Sequence, residues 1–142
     1  MNSATSSATS EMKMKRKLWA FSAVYFAASL VHFAHNAEYI AFYPNMPGWL
    51  TREKVYLVWL AITGIGVAGF ALWRFGWKVS GALCLAAYGA MGLDGLGHYS
   101  LALCSEHTLA MNLTIWFEAL SGVALALCCA FVIKNLRAIQ ES

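Results

Sequence analysis

Long apolar runs separated by short polar breaks dominate this chain. Four runs have the roughly 20-residue length that a membrane-spanning helix needs: residues 18–42, 55–75, 77–103 and 109–133. Pro44-Asn45-Met46-Pro47-Gly48 ends the first run with rigid turn chemistry. Arg74-Phe75-Gly76-Trp77-Lys78 turns about a central glycine, and Ser105-Glu106-His107-Thr108 separates the last two runs. Connections this short make sequential helices antiparallel. The pattern therefore predicts an all-α polytopic membrane protein, a four-transmembrane-helix antiparallel bundle. The membrane domain is expected over 18–133, between a disordered basic tail (1–17) and a short C-terminal tail (134–142).

Composition agrees with that reading. The chain of 142 residues is 60% apolar and 12% charged, against about 45–50% and about 25% in soluble domains. A soluble globular domain and a disordered chain are both excluded as classes. Lys13, Lys15, Arg16, Lys17, Arg74, Lys78, Lys134 and Arg137 fall on one side of the predicted bundle, with only Arg52 and Lys54 on the other. The positive-inside rule then makes both termini cytoplasmic. The basic residues form clusters between apolar runs rather than one face, which argues against nucleic acid as a partner. The first run is longer than the apolar core of a signal peptide and lacks a small-x-small cleavage site, so it reads as an uncleaved helix. Cys84, Cys104, Cys128 and Cys129 form no C-x-x-C pair, so neither a disulfide scaffold nor a zinc ribbon is expected. Gly64-Ile65-Gly66-Val67-Ala68-Gly69 matches a dinucleotide fingerprint in letters only, because it lies within an apolar span.

The candidate chemistry lies in polar residues inside the spans. An ionisable group at the bilayer centre costs about 2.5–3.5 kcal/mol on insertion scales and is a functional hypothesis by default. His32, His35, Asn36 and Glu38 fall in the first span, Asp94 and His98 in the third, and Glu118 in the fourth; His107 is in the loop between the last two. At about 1.5 Å per residue, His32 and Asp94 lie ~22–24 Å from the basic edge, and Glu118 lies ~15 Å in from the opposite one. All converge on the outer half of the bundle. On an α-helix, Asp94 and His98 share one face at i,i+4, and His32, His35, Asn36 and Tyr39 form a stripe.

Imidazoles and carboxylates on facing helices suit a first-row transition metal. The expected ligands are His32, His35, Glu38, Asp94, His98 and His107, the expected ion copper, zinc or iron, and the expected catalytic acids Glu118 and Asp94. The step Asp94-x-x-x-His98 followed by His107 locally resembles the Asp-His-His metal site in the membrane-embedded C subunit of particulate methane and ammonia monooxygenases. The likeness spans residues 94–107, with a shorter gap between the histidines here. It implies a metal site at those three residues.

Three functions follow. The first is metal-dependent catalysis on an apolar substrate, or metal handling, in the outer half of the bundle. The second is a metal-free isomerase or cyclase acting on a lipid-like or isoprenoid substrate, with Glu118 as the acid. The third is a transporter component or a subunit of a larger membrane complex, with a haem between two histidines as a variant. The expected partners are the lipid bilayer, a lipid-like small molecule, and a second copy or a complex partner. The expected setting is a bacterial inner membrane with the polar cluster facing the periplasm.

Overall fold

The structure, a computed structural model, describes residues 2–140 and is all-helical, with no strand among the described residues. Five helices carry the fold: α1 (Asn2–Glu38), α2 (Arg52–Arg74), α3 (Lys78–Ala90), the one-turn α4 (His98–Leu101) and α5 (Leu109–Gln140). Four stretches are long and apolar enough to cross a membrane: Glu11–Glu38, Arg52–Arg74, Lys78–Leu101 and Leu109–Ala138. They correspond to the four apolar runs.

Packing is organised by the seam between α1 and α5. Among the buried positions, one stripe on α1 runs through Met14, Leu18, Ser22, Tyr25, Ser29, His32 and Asn36, and one on α5 through Met111, Ile115, Glu118, Gly122, Leu125, Cys129, Val132 and Leu136. Both sets step by three or four residues, the spacing of about 3.5 that keeps one face toward a partner helix. Numbers run in opposite senses across the seam. Lys17 lies over the Phe131 ring, Tyr25 beside Gly122, and His32 beside Thr114. The small residues of α3 let it pack closely on this pair. A Cβ on Gly89 would stand 2.6 Å from the Gly122 carbonyl, so the two backbones touch. α2 is the outermost helix. It buries Val55, Gly66 and Gly69 and leaves Leu57, Leu60 and Val67 facing outward, as a lipid-facing helix does.

The helix ends follow local chemistry. Thr51 caps α2, its side chain accepting from the Lys54 amide at 3.4 Å. Gly76 turns the chain into α3 with φ +92°, a conformation that carries no penalty at glycine.

Three expectations change. The segment 2–17, expected as a disordered tail, is the start of α1, and Met14 is buried in the seam, which holds the helix beyond the apolar run. Met1 lies outside the described residues. The segment 134–140 likewise continues α5, with Leu136 buried; residues 141–142 lie outside the description. The third span is not one α-helix. It passes through a 3₁₀ segment, Met91–Gly97 (MGLDGLG), before α4. Glycine disfavours an α-helix by about 1 kcal/mol relative to alanine, and three glycines fall within these seven residues. Irregular backbone at membrane depth is tolerated where protein covers it, and this segment packs against α5.

Gly122→Ala is expected to lose about 1–3 kcal/mol of stability, because the new Cβ would collide with the Gly89 carbonyl. Gly64→Ala, where no atom lies within 4 Å of an added Cβ, is expected to be neutral or stabilising. Unfolding titrations in mixed detergent micelles compare the two, and equal midpoints would refute the close α3–α5 approach.

Candidate functional site

The 3₁₀ segment decides which side chains meet. At about three residues per turn, positions three apart eclipse one another. Gly92, Gly95 and His98 are accordingly buried on one face, while Asp94 turns outward and is exposed. The i,i+4 face expected for Asp94 and His98 presupposed α-helical geometry, and the glycines remove it.

His98 is 8% exposed and contacts three elements. Its Nε2 lies 3.1 Å from the Asn36 side-chain amide of α1. Its ring lies 5.4 Å from His32, 4.9 Å from Tyr43 and 6.1 Å from His107, centroid to centroid. The Asn36 amide suits either state of the ring. Its nitrogen donates to a bare Nε2, and after a flip its oxygen accepts from a protonated one. The Asn36 Oδ1 has no hydrogen-bond partner.

Behind His98 sits a deeply buried imidazole–carboxyl pair in the seam. His32 and Glu118 are 2% and 1% exposed, with Nε2 and Oε2 3.6 Å apart. That separation lies beyond hydrogen-bond length. Thr114 donates its hydroxyl proton to the Met111 carbonyl at 3.0 Å, so its oxygen accepts from His32 Nδ1 at 3.4 Å. This leaves Nε2 directed at the carboxyl. Both Glu118 oxygens lack a hydrogen-bond partner. Gly95 makes the room: a Cβ there would stand 3.1 Å from Glu118 Oε2 and 3.6 Å from His32 Nε2.

Loops close this end. His107 is buried, and its Nδ1 donates to the Leu103 carbonyl at 2.9 Å. Its Nε2 is left bare, buried and without a partner. Asn112 ties this loop down through the carbonyls of Cys104 and His107 and through the Tyr99 hydroxyl. Asn45, at φ 56°, donates to the Leu101 carbonyl at 2.8 Å and fastens the first loop across α4. Tyr43 on that loop bonds His35 at 2.9 Å, and burial pushes its phenol up to about 12.

A lateral cavity of about 360 Å³ opens beside this cluster. Phe33, Trp49 and Val58 supply apolar wall, and Asn36, Asp94, His98 and Ser100 form its polar part. Asp94 therefore lies on the cavity rim.

The other expected ligands disperse for physical reasons. Glu38 faces outward and pairs with Arg52 at 2.8 Å, accepting also from the Tyr56 hydroxyl. His35 turns toward Tyr43, off the seam that carries His32 and Asn36, and Tyr39 is exposed. Among the described residues no group of three His, Cys, Asp or Glu side chains is arranged to hold a metal ion.

The sequence reading missed a trail of buried hydroxyls running from Glu118 toward the basic end. Ser22, Tyr25, Thr63 and Tyr88 each bury a hydroxyl with no hydrogen-bond partner, and the Tyr25 and Tyr88 rings meet edge-on at 4.6 Å. The signal was present as polar residues at seam positions 22, 25 and 29, in step with His32 and Asn36.

A double-mutant cycle on His32→Ala and Glu118→Gln is expected to give about 0.5–3 kcal/mol of coupling in unfolding titrations. Additive effects would mean that the pair does not interact. A second test concerns Tyr43. A phenol held neutral in the fold binds its proton more tightly there than in the unfolded chain. Stability is thus intact below about pH 10 and falls as pH rises toward about 12. Tyr43→Phe should show a smaller alkaline loss than the wild type over that window, measured by thermal melts.

No protein family matches this chain, no curated protein is detectably similar to it, and no solved structure matches it. What the site does has to be read from its own geometry.

Proposed function

We propose that this is an integral membrane protein performing metal-independent acid/base chemistry on a lipid-like amphiphile held in the lateral cavity. The observation that carries the reading is the position of His98. It lines the cavity on one side and meets the ring of His32, the partner of Glu118, edge-on on the other. The cavity wall suits an apolar body, and Asn36, Asp94 and His98 suit a polar head.

In this reading His98 is the catalytic residue that exchanges a proton with the substrate. Asn36 positions its ring in both protonation states. His32 and Glu118 form the proton reserve behind it and do not touch substrate. Isomerisation of a double bond fits such a site. The allylic carbon gives up a proton to the base, the far carbon of the double bond receives one from the acid as the double bond shifts, and no redox partner is needed. Positioned acid/base groups contribute about 10²–10⁴-fold to such steps.

The proposed setting is a bacterial inner membrane, with the basic end of the bundle in the cytoplasm and the histidine end facing the periplasm, as the distribution of Lys and Arg favours.

The test is proton exchange in deuterated water. Purified protein in mild detergent is incubated with a total lipid extract, and the lipids are read by mass spectrometry. Deuterium is expected at carbon in one lipid class. Exchange is expected to disappear with His98→Ala and to fall about 10²–10⁴-fold with Glu118→Gln, while persisting in the presence of a chelator. Exchange by His98→Ala at the wild-type rate, or none by the wild type, would overturn the reading. Loss on chelation, restored by copper, zinc or iron, would favour a metal centre instead.

A further inference from the structure

The opposite end of the bundle carries a second cavity, of about 730 Å³, bounded by α1, α2 and the first turn of α3. Its apolar wall is aromatic. Trp19 stacks on Phe70 at 4.2 Å with 21° between the planes, and Trp73 lies beside them. Its rim holds three cations, Lys15, Arg74 and Lys78, and one acid, Glu11. Glu11 is paired with Lys78. Among the described ion pairs neither Lys15 nor Arg74 has an acidic partner.

We infer that this cleft binds one anionic glycerophospholipid, its phosphate between Lys15 and Arg74 and the upper part of its acyl chains along Trp19 and Phe70. The four apolar spans place this end at a lipid headgroup layer. Basic pockets between membrane helices recognise anionic headgroups. A guanidinium meets phosphate oxygens in a two-pronged geometry that an ammonium cannot match. Tryptophan at the interface supplies an apolar body with a polar edge. Charge complementarity selects the anionic lipid over a zwitterionic one, whose own cation would sit among three others with only the already-paired Glu11 to meet it. The site is distinct from the histidine cavity and does not depend on its chemistry.

α5 supplies an internal control. Lys134 and Arg137 line a shallower recess at the same end, with Ala130, Ile133 and Ala138 as its other walls and no aromatic surface. If attraction came from net positive charge alone, both places would hold lipid equally.

Native mass spectrometry of the full chain in detergent, with phosphatidylglycerol titrated against phosphatidylcholine, tests this. The wild type is expected to retain one phosphatidylglycerol in preference to phosphatidylcholine. Lys15→Gln with Arg74→Gln should weaken that retention about tenfold, and Trp19→Ala should weaken it too. Lys134→Gln with Arg137→Gln should leave it unchanged. Thermal melts verify that each variant is folded; should the double variant not fold, Arg74→Gln alone is read in the same way. Equal retention of the two lipids by the wild type would overturn the inference. So would an equal loss in the α5 variant, which would indicate diffuse charge attraction.

Discussion

A carboxyl group buried in the middle of a helix seam is the constraint around which this fold is built. Glu118 is fully enclosed, its nearest ionisable neighbour is His32 on α1, and neither carboxyl oxygen has a hydrogen bond. Burying such a group is expensive, and a buried ionic or polar pair is often no better for stability than apolar residues of the same volume. What keeps Glu118 in place is its register. It occupies a position in the α5 repeat between Ile115 and Gly122, so it cannot leave the seam without dragging both core neighbours. The third span must then approach that carboxyl without a side chain, and Gly95 does so.

The same requirement explains the broken third span. A continuous α-helix through residues 78–101 would carry its small residues past α5 at 3.6 per turn. The 3₁₀ segment tightens this to about three per turn. Gly92, Gly95 and His98 thereby fall in register against α5 and α1. Asp94, one residue off that register, goes to the cavity rim. One backbone change thus supplies space for Glu118, sets His98 on Asn36, and separates His98 from the acid with which it would have paired on an α-helix.

That change also marks the limit of what the sequence made legible. The four spans were readable because length and apolarity suffice to define them. Depth counting placed His32, His98 and Glu118 together because helix rise is nearly constant. Rotation was harder. Asp94 and His98 were assigned one face from an α-helical period, and MGLDGLG does not keep that period. On α1 the His32/Asn36 face was right, while His35 and Tyr39 lie off it. The longer run of buried positions from Met14 to Asn36 would have separated them, since it fixes the seam to a repeat of about 3.5. Glu38 was lost to Arg52, a partner 14 residues on that only the fold of the first loop brings near. The N-terminal segment looked disordered by composition, yet Met14 continues the seam beyond the apolar run.

Read from the basic end, the α1 side of the seam changes character in steps. Met14 and Leu18 are apolar, Ser22, Tyr25 and Ser29 carry hydroxyls, and His32 and Asn36 carry imidazole and amide. The α5 side runs from Leu136, Val132 and Cys129 to Glu118. A helix pair built only for cohesion would keep the apolar repeat throughout, because every polar step trades packing for groups that need partners. Several of those groups have none: Ser22, Tyr25, Tyr88 and Glu118 all bury unpaired oxygens. Unpaired buried polar atoms are uncommon in folded proteins, and each calls for an explanation such as strain, catalysis or internal water. Here they are continuous with a histidine that borders a cavity, and they end where Leu18 and Met14 close the seam. An apolar plug at one end and buried polar groups at the other make the seam asymmetric along its length. That asymmetry fits the proposed chemistry on a bound molecule better than passage through the bundle.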